Sequence, residues 1–261
     1  MTMTLPDRAF LEQLARAAAA ETLPRFRMAG AVANKLGEGF DPVTEADRAA
    51  EAAIRALIGA HHPDHGIIGE EYGSEGEDRS HVWVIDPIDG TRAYISGLPV
   101  WGTLVGLTVD GVARSGFMHQ PFTDELFVAD GSGTFLLRGG ADPQALETRK
   151  GKSPGDATLF TTTPALYEGA GREAYDRLEA AVRLPRYGCD CYGFAMVAAG
   201  HADIAIEPGL APYDICALIP LIEQAGGVVT RWDGGRAEQG GDVIAAGSAE
   251  LHEAALELLD A

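Results

Sequence analysis

The sequence predicts an α/β protein whose two halves build different kinds of sheet. Two amphipathic helical stretches come first, short β-type runs separated by Asp-Gly turns follow, and strands then alternate with helices to the C-terminus. Runs joined by tight turns form antiparallel sheets, whereas strands that alternate with helices form largely parallel ones. We therefore expect an antiparallel sheet in the N-terminal half and a largely parallel α/β layer in the C-terminal half.

Two helices open the chain. In the first, an apolar face begins at Phe10 and continues until Pro24 interrupts the pattern. The second begins after Thr44, a favourable N-cap residue, with Asp47 three positions later as the other member of a capping box. Its apolar stripe ends near Gly59, so the second helix is predicted to end there.

Short β-type runs follow the second helix. Asp110-Gly111 and Asp130-Gly131 stand between runs and are typical hairpin signals. The predicted strands are residues 82–86, 103–109, 112–119, 125–129 and 134–137.

Residues 139–143, which are rich in Gly and Pro, form a candidate linker. We expect it to join an N-terminal half, residues 1–138, to a C-terminal half, residues 144–261. In the second half the predicted strands are 158–162, 184–188, 202–207, 227–230 and 243–246, and the predicted helices are 172–182, 192–199, 213–225 and one from about Ser248.

Composition and charge restrict the class of protein. Of 261 residues, 46% are hydrophobic and 23% charged, which is typical of globular proteins. The formal charge of −19 argues against nucleic acids and anionic membranes as partners, because both would repel the protein. No apolar run approaches the roughly 20 residues of a membrane span, and the N-terminus lacks a signal-peptide pattern. We therefore expect a cytoplasmic protein.

The densest group of polar residues is the segment 86–91, which reads DPIDGT and follows an apolar run. A divalent hard cation prefers oxygen ligands, and Asp86 and Asp89 on one bend can face the same ion. The backbone N–H groups of Gly90 and Thr91 can point at an anion such as phosphate. A simple turn with an Asp N-cap accounts for the same residues.

Three other acidic segments are candidates for the same site. Glu70 and Glu71 follow a short apolar run, Asp214 precedes an apolar helix, and Asp47 stands in the first turn of the second helix. Each also has a structural explanation, as a solvated strand end or a helix cap. Asp214 becomes a metal ligand only if the fold brings it near Asp86.

Taken together, four segments resemble the inositol monophosphatase family of metal-dependent phosphomonoesterases. They occur in the family's order and at its spacing over essentially the whole chain. The resemblance implies a layered α/β/α/β/α sugar-phosphatase fold, a homodimer and Mg²⁺ as the working ion. The matching segments are residues 41–47, 69–71, 83–91 and 212–214, followed by Gly226-Gly227.

The resemblance also implies which groups hold the metal. Glu70, Asp86 and the backbone carbonyl of Ile88 would bind a first Mg²⁺ ion. Asp86, Asp89 and Asp214 would bind a second.

The resemblance further implies how water is activated. Thr91, hydrogen-bonded to Asp47, would orient and deprotonate a metal-bound water, and Glu71 would help to hold a third, weaker ion. One ion lowers the pKa of its water and the other stabilises the leaving oxygen. Two or three Mg²⁺ ions per site are therefore expected.

Two rival functions fit the sequence less well. Phosphatases that form an aspartyl-phosphate use an Asp-x-Asp motif, whereas Asp86 and Asp89 are one residue further apart. A metal-responsive binding protein without turnover would need neither Thr91 nor Asp47, and the chain has both.

Within the family, the chain most resembles the histidinol-phosphatase branch. Inositol-specific members usually have Thr-Asn after the Gly-Thr pair and Trp before the last Asp, where this chain has Arg92-Ala93 and Tyr213. The expected reaction is hydrolysis of L-histidinol phosphate, a step of histidine biosynthesis. The alternative is inositol-1-phosphate or another small sugar or nucleotide phosphate. The segments that carry this resemblance are residues 89–99, 101–102, 120–122, 186–192 and 211–214.

Two acidic residues are expected to select the substrate. Histidinol phosphate carries an amine and an imidazole, so carboxylates near its organic end are favourable. Asp190 and Glu207 are the candidates, although Asp190 could instead cap the helix after it. The full set of predicted substrate-binding residues is Asp89, Gly90, Thr91, Arg92, Asp190, Glu207 and Asp214.

Overall fold

The computed structural model describes residues 5–28, 32–34 and 42–261, and for residues 32–34, 42 and 43 it describes the backbone. Within these ranges, no helix has both the length and the apolar character needed to cross a bilayer. The helices are α1 (Arg8–Thr22), α2 (Glu45–His61), α3 (Thr91–Ile95), α4 (Gly169–Ala181), α5 (Asp190–Ala198), α6 (Pro212–Ile215), α7 (Leu218–Gln224) and α8 (Ala249–Asp260). The strands are β1 (Val32–Asn34), β2 (Pro42–Thr44), β3 (Gly66–Gly69), β4 (Gly73–Glu75), β5 (His81–Asp89), β6 (Gly102–Val109), β7 (Val112–Gln120), β8 (Glu125–Ala129), β9 (Thr134–Leu137), β10 (Gln144–Ala145), β11 (Thr158–Thr161), β12 (Leu184–Tyr187), β13 (Ile204–Leu210), β14 (Val228–Arg231) and β15 (Gly241–Ala246).

The larger sheet has eight strands in the order β10-β9-β8-β7-β6-β5-β3-β4. Its neighbours are antiparallel except β3 and β5, which run parallel. The predicted antiparallel sheet of the N-terminal half is therefore confirmed. Asp110 and Gly111 both have positive φ angles, 50° and 77°, which a tight hairpin turn between β6 and β7 requires.

The smaller sheet has five strands in the order β12-β11-β13-β15-β14. β11 pairs parallel with β12 and β13, but β15 pairs antiparallel with β13 and β14. The α/β class is confirmed, while parallel pairing covers only one side of this sheet rather than most of it. The reason is that β14 leads to β15 through a short connection without a helix, and a parallel pair needs a longer crossover.

Five layers of helix and sheet follow from how the apolar faces pack. α1 and α2 cover one face of the larger sheet, where Ile54 packs with Phe117. α5 and α7 lie between the two sheets, in an apolar cluster that joins Met118 of β7, Leu218 of α7 and Val243 of β15. α4 and α8 cover the outer face of the smaller sheet. The layered α/β/α/β/α fold is therefore confirmed.

The predicted division of the chain into residues 1–138 and 144–261 stays a prediction. Gln144 and Ala145, at the start of the second segment, form β10 and pair with β9 of the larger sheet. The segment after the candidate linker thus begins in the first sheet before it enters the second.

The second helix begins as predicted and ends slightly later. Thr44 Oγ1 accepts a hydrogen bond from the backbone N–H of Ala46, and Asp47 Oδ2 accepts one from the N–H of Thr44 at 2.8 Å. This capping box is the one the sequence predicts. The helix continues past Gly59 to His61, because a glycine in the last turn weakens a helix without ending it.

The predicted helix 213–225 is instead two helices, α6 and α7, separated at Cys216 and Ala217. Pro220 explains the break, since it has no N–H to donate to the carbonyl of Cys216 and its ring would clash with that carbonyl. In the first turn of a new helix such an N–H would have no partner, so proline is tolerated there.

His119 is expected to make the protein's stability depend on pH. It is buried on β7, its Nδ1 lies 3.3 Å from the carbonyl oxygen of Ala15 in α1, and burial lowers its pKa to about 4. Above the unfolded value of 6.5 both states are neutral. As pH falls toward 4, the unfolded state binds a proton that the native state does not, which lowers the free energy of unfolding by about 3 kcal/mol.

Urea unfolding of wild type and His119→Gln at several pH values between 7 and 4 measures this effect. The stability of wild type relative to the variant should fall by that amount over the range. The matched control is His201→Gln, which makes the same substitution at an exposed histidine. If the free energies of unfolding of wild type and His119→Gln changed with pH by the same amount, the role of His119 in the pH dependence would be contradicted.

Candidate active site

The site begins where two parallel strands of the larger sheet end. β3 and β5 pair in parallel up to Gly69 and Ile85, and the N–H of Glu70 then donates to the Ile85 carbonyl oxygen at 3.1 Å. The next residue of β5 is Asp86, so Glu70 and Asp86 lie side by side at the carboxyl ends of the two strands. Their proximity helps to raise the pKa of Asp86.

A β-bulge turns Asp89 toward the side of the sheet that Asp86 faces. On a regular strand, two side chains that are three residues apart, as those of Asp86 and Asp89 are, point to opposite faces of the sheet. Between them β5 has one residue more than its partner β6, and this extra residue restores a common side. The hydroxyl of Thr103 donates to the Pro87 carbonyl at 2.8 Å, and the N–H of Ile88 donates to Asp86 Oδ1 at 3.0 Å, so the bulge is held on both sides.

The third aspartate comes from the C-terminal half. Asp214 lies in α6, and its Oδ2 accepts a hydrogen bond from the N–H of Ala211 at 2.7 Å. Asp89 Oδ2 accepts one from the N–H of Cys191, also at 2.7 Å. One carboxylate oxygen from each of Asp86, Asp89 and Asp214 lies within 4.8 Å of the others. The fold therefore brings Asp214 to Asp86, which was the condition for its becoming a ligand.

The electrostatics of this cluster suit a cation. The pKa of Asp86 is raised well above its ordinary value by burial, and by the neighbouring charges of Glu70, Asp89 and Asp214. The pKa of Asp89 is raised by burial and by Asp190 and Asp214. An all-oxygen donor set of this kind fits a hard divalent cation such as Mg²⁺, whose charge would reverse these shifts.

Asp47 and Glu71 are near enough for their charges to interact. Asp47 Oδ2 accepts hydrogen bonds from both the N–H and the hydroxyl of Thr44, at 2.8 and 2.6 Å. Its Oδ1 is buried and has no hydrogen-bond partner in the described part of the chain. Burial raises the pKa of Asp47 to about 6, and the charge of Glu71 adds to the shift. Asp41, from the same sequence segment, lies outside the described residues.

The predicted hydrogen bond between Thr91 and Asp47 is not present. The Thr91 hydroxyl donates to the carbonyl oxygen of Ile88 at 3.1 Å instead. The reason is local, since Gly90 has a φ of 80° and turns the chain sharply, which brings the first residue of α3 back over the bend. Ile88 is the residue whose carbonyl the family resemblance assigns to a metal, and a carbonyl oxygen has two lone pairs for such partners.

Asp190 and Glu207 meet at a residue that the sequence analysis missed, Thr162. The N–H of Thr162 donates to Glu207 Oε1, and its hydroxyl donates to Asp190 Oδ1 at 3.3 Å. Burial raises the pKa of Glu207 to about 8, and the charge of Asp190 contributes. The position of Thr162 could have identified it as a site residue. It directly follows β11 at the carboxyl edge of parallel strands, where ligands commonly bind.

The structure does not support the helix-capping explanation for Asp190. The N-cap of α5 is Cys189, without a side-chain cap, and Asp190 is the first helical residue with a φ of 43°. Its carboxylate turns toward Thr162 and lies against Gly90, where a Cβ atom would be 3.1 Å from Asp190 Oδ2. Asp190 of the second half therefore contacts the DPIDGT segment of the first.

The predicted substrate-binding residues line two adjoining pockets between the halves, whereas Asp47, Glu70, Glu71, Asp86 and Ile88 are not among the lining residues of either pocket. The larger one has a volume of about 630 Å³ and is bordered by Thr91, Arg92 and Asp214. The smaller one lies beside it and is bordered by Asp89 and Glu207. Thr162, Asp190 and Asp214 line both pockets.

The layered fold and the buried carboxylates at the junction of its halves define a phosphatase of the metal-dependent class. The chain belongs to the inositol monophosphatase family, whose model matches residues 5–261.

The similar proteins include some that are named histidinol-phosphatase and others that are named inositol monophosphatase. The chain is 39% identical to the chloroplastic bifunctional phosphatase IMPL2 of Arabidopsis thaliana over 85% of its own length and 66% of that longer protein. It is 35% identical to the histidinol-phosphatase of Mycobacterium tuberculosis, over 95% of this chain and 96% of that one. An inositol monophosphatase structure from Zymomonas mobilis superposes with a TM-score of 0.86 at 36% identity, covering 97% of both chains.

Neutralising one carboxylate of the cluster should stabilise the metal-free protein. Because the native pKa of Asp86 is raised, its unfavourable contribution is absent below the unfolded value of 3.8 and grows as pH rises through the native pKa. Asp86→Asn keeps an oxygen for the Ile88 N–H and should raise the free energy of unfolding at pH 8, with a smaller gain at pH 5.

Chemical unfolding in the presence of a chelator measures this gain. Asp203→Asn is the matched control, because Asp203 is equally buried but paired with Arg149 at 2.9 Å, so its loss should destabilise the protein. An Asp86→Asn variant less stable than wild type at pH 8 would contradict the prediction.

Proposed function

We propose that the protein is a Mg²⁺-dependent phosphomonoesterase that hydrolyses L-histidinol phosphate to L-histidinol and phosphate, a step of histidine biosynthesis. The observation that carries the proposal is the cluster of Asp86, Asp89 and Asp214, two members of which, Asp89 and Asp214, line one cleft together with a second acidic pair, Asp190 and Glu207. A cluster of the first kind suits a phosphate with its metal ions, and the second suits an organic cation. Similarity to proteins named histidinol-phosphatase supports the same assignment.

Two Mg²⁺ sites follow from the family resemblance and the donor set. Glu70, Asp86 and the Ile88 carbonyl are proposed for one ion, and Asp86, Asp89 and Asp214 for the other. When bound, Mg²⁺ would neutralise phosphoryl charge and make water a stronger nucleophile. The hydrogen bonds from backbone N–H groups to Asp86, Asp89 and Asp214 hold these side chains in place before any ion arrives.

Thr91 and Asp47 are proposed to handle the proton of the attacking water. The Thr91 hydroxyl would orient the water, and Asp47 would receive the proton. Burial raises the pKa of Asp47 to about 6, which is closer to neutrality than an ordinary carboxylate and so better matched to proton transfer. Glu71, whose charge contributes to that shift, is proposed to help a third ion.

Asp190 and Glu207 are proposed to bind the amine end of the substrate. Thr162 fixes both carboxylates, so they face the cleft as a unit rather than as two mobile side chains. A cationic ligand would favour the ionised form of Glu207, because a nearby opposite charge lowers a carboxyl pKa. The phosphate end would then lie toward Gly90, Thr91 and Arg92, which border the same cleft.

Myo-inositol monophosphate, or another small sugar or nucleotide phosphate, is the second candidate. The 36% identity to an inositol monophosphatase structure over 97% of both chains favours it. Arg92-Ala93 and Tyr213, which replace residues usual in inositol-specific members, support histidinol phosphate. By family resemblance we further propose a homodimer that acts on small phosphate esters. From the charge of −19 and the sequence pattern we propose a cytoplasmic protein that binds neither nucleic acid nor membrane.

Phosphate release from a panel of phosphomonoesters tests the function directly. With Mg²⁺ present we expect the highest kcat/KM for L-histidinol phosphate, and with a chelator we expect activity to disappear and to return when Mg²⁺ is added back. Asp89→Ala should abolish turnover, because it removes a proposed ligand. No release from any substrate would favour a binding protein without turnover, and release that survives Asp89→Ala would overturn the metal assignment.

Asp190→Asn tests the proposed substrate selection. Removing this charge should lower kcat/KM for histidinol phosphate by roughly tenfold or more, since a charged hydrogen bond is worth about 1.5–3 kcal/mol, and should leave inositol phosphate hydrolysis less affected. Asp176→Asn, an equal change of charge on the exposed helix α4, is the matched control. An unchanged ratio of the two kcat/KM values would refute selection by Asp190.

A further inference from the structure

Glu51 is a buried carboxylate on α2 to which neither the sequence analysis nor the proposed function gives a role. We infer that it is a positioning residue, which fixes the turn that carries Glu70 and Glu71 and thereby sets the affinity of the metal site. The inference rests on the proposed metal site and concerns how that site is built.

Glu51 contacts the turn between β3 and β4 through two backbone N–H groups. Its Oε2 accepts a hydrogen bond from the N–H of Glu71 at 2.7 Å, and its Oε1 accepts one from the N–H of Tyr72 at 3.2 Å. The side chain has no exposed surface. A carboxylate that receives two backbone N–H groups away from water holds that backbone strongly, because hydrogen bonds to a charged group are about twice as strong as neutral ones.

Arg55 completes the arrangement one helical turn later. Its Nε donates to Glu51 Oε1 at 2.8 Å, and another of its nitrogens donates to the carbonyl oxygen of Gly73. The guanidinium balances the charge of Glu51, which would otherwise be a costly buried anion. Together, Glu51 and Arg55 form hydrogen bonds with the backbone of three consecutive residues, 71–73.

Gly69 is required by the same contact. A Cβ atom at this position would overlap Glu51 Oε1, so only glycine lets the carboxylate reach past the end of β3 to the turn. Glu51 also follows Asp47 by four residues, which places both side chains on one face of α2. That face therefore supplies a proposed proton acceptor and the anchor of the neighbouring ligand turn.

The consequence for metal binding is indirect. β3 ends at Gly69 and β4 begins at Gly73, so Glu70 and Glu71 lie in the short turn that Glu51 anchors. Without the hydrogen bonds to Glu51, the carboxylates of Glu70 and Glu71 would no longer be held in a fixed position relative to Asp86. Partners behind the ligands of a metal typically contribute 10–100-fold to its affinity.

Mn²⁺ binding to Glu51→Gln, measured by isothermal titration calorimetry without substrate, tests the inference. Glutamine keeps the shape and one acceptor oxygen but places an NH₂ group against the other backbone N–H. We expect Mn²⁺ to bind at least tenfold more weakly than to wild type. Hydrogen exchange at the amides of Glu71 and Tyr72, measured without metal, should become faster.

Asp203→Asn is the matched control for general destabilisation. Asp203 is as buried as Glu51, accepts a backbone N–H from Thr158 at 2.7 Å and pairs with Arg149, but it stands before β13, at the end of that strand away from Glu207. This variant should lose thermal stability while binding Mn²⁺ like wild type.

The outcomes separate the inference from the proposed function. If wild type binds Mn²⁺ and Glu51→Gln binds it equally well, the positioning role is wrong, whereas failure of wild type to bind would overturn the proposed metal site itself. If Glu51→Gln does not fold, Arg55→Gln replaces it, because it leaves Glu51 in place without its counterion. An Mn²⁺ affinity of Arg55→Gln equal to that of wild type would then overturn the inference.

Discussion

One constraint governs this structure, which is that several carboxylates that repel one another are held close together. Asp86, which is buried, and Asp89 and Asp214, which are partly buried, converge in one site, and in each of them one oxygen accepts a hydrogen bond from a backbone N–H group. Such neutral donors hold a carboxylate in place without cancelling its charge. The site therefore keeps a strong negative potential, which explains how a protein with a formal charge of −19 can be suited to phosphate esters, once cations are bound.

The two halves of the chain contribute different chemistry to one cleft. In the larger sheet, Glu70 directly follows β3 and the bulge after Asp86 lies at the end of β5. In the smaller sheet, Thr162 directly follows β11 and its N–H donates to Glu207 of the neighbouring strand β13. In both sheets the functional groups lie at the carboxyl ends of parallel strands, where open α/β sheets usually bind ligands. Asp190, packed against Gly90, is the point where the two groups of residues touch.

Local signals predicted much of the fold. β8 and β9 have the predicted bounds, the Asp110-Gly111 hairpin forms, and the capping box at Thr44 starts α2. The failures came where a single residue or a distant strand overrides the local pattern. Pro220 divides an apolar stretch that reads as one helix, and the short return from β14 to β15 makes half of the smaller sheet antiparallel.

By itself, the sequence determined which side chains are available. These are six acidic residues in segments that resemble a metal-dependent phosphatase family, the two further candidates Asp190 and Glu207, and the turns and caps around them. Only the tertiary structure decided which of them meet. The bulge after Asp86 sets the direction of Asp89, the packing of α6 against β5 brings Asp214 to the cluster, and Thr91 bonds to Ile88 rather than to Asp47. The physical reason is the distance along the chain over which each interaction acts. Turn and capping preferences act over a few neighbouring residues, whereas a site assembled from both halves depends on how the strands pair and the layers pack.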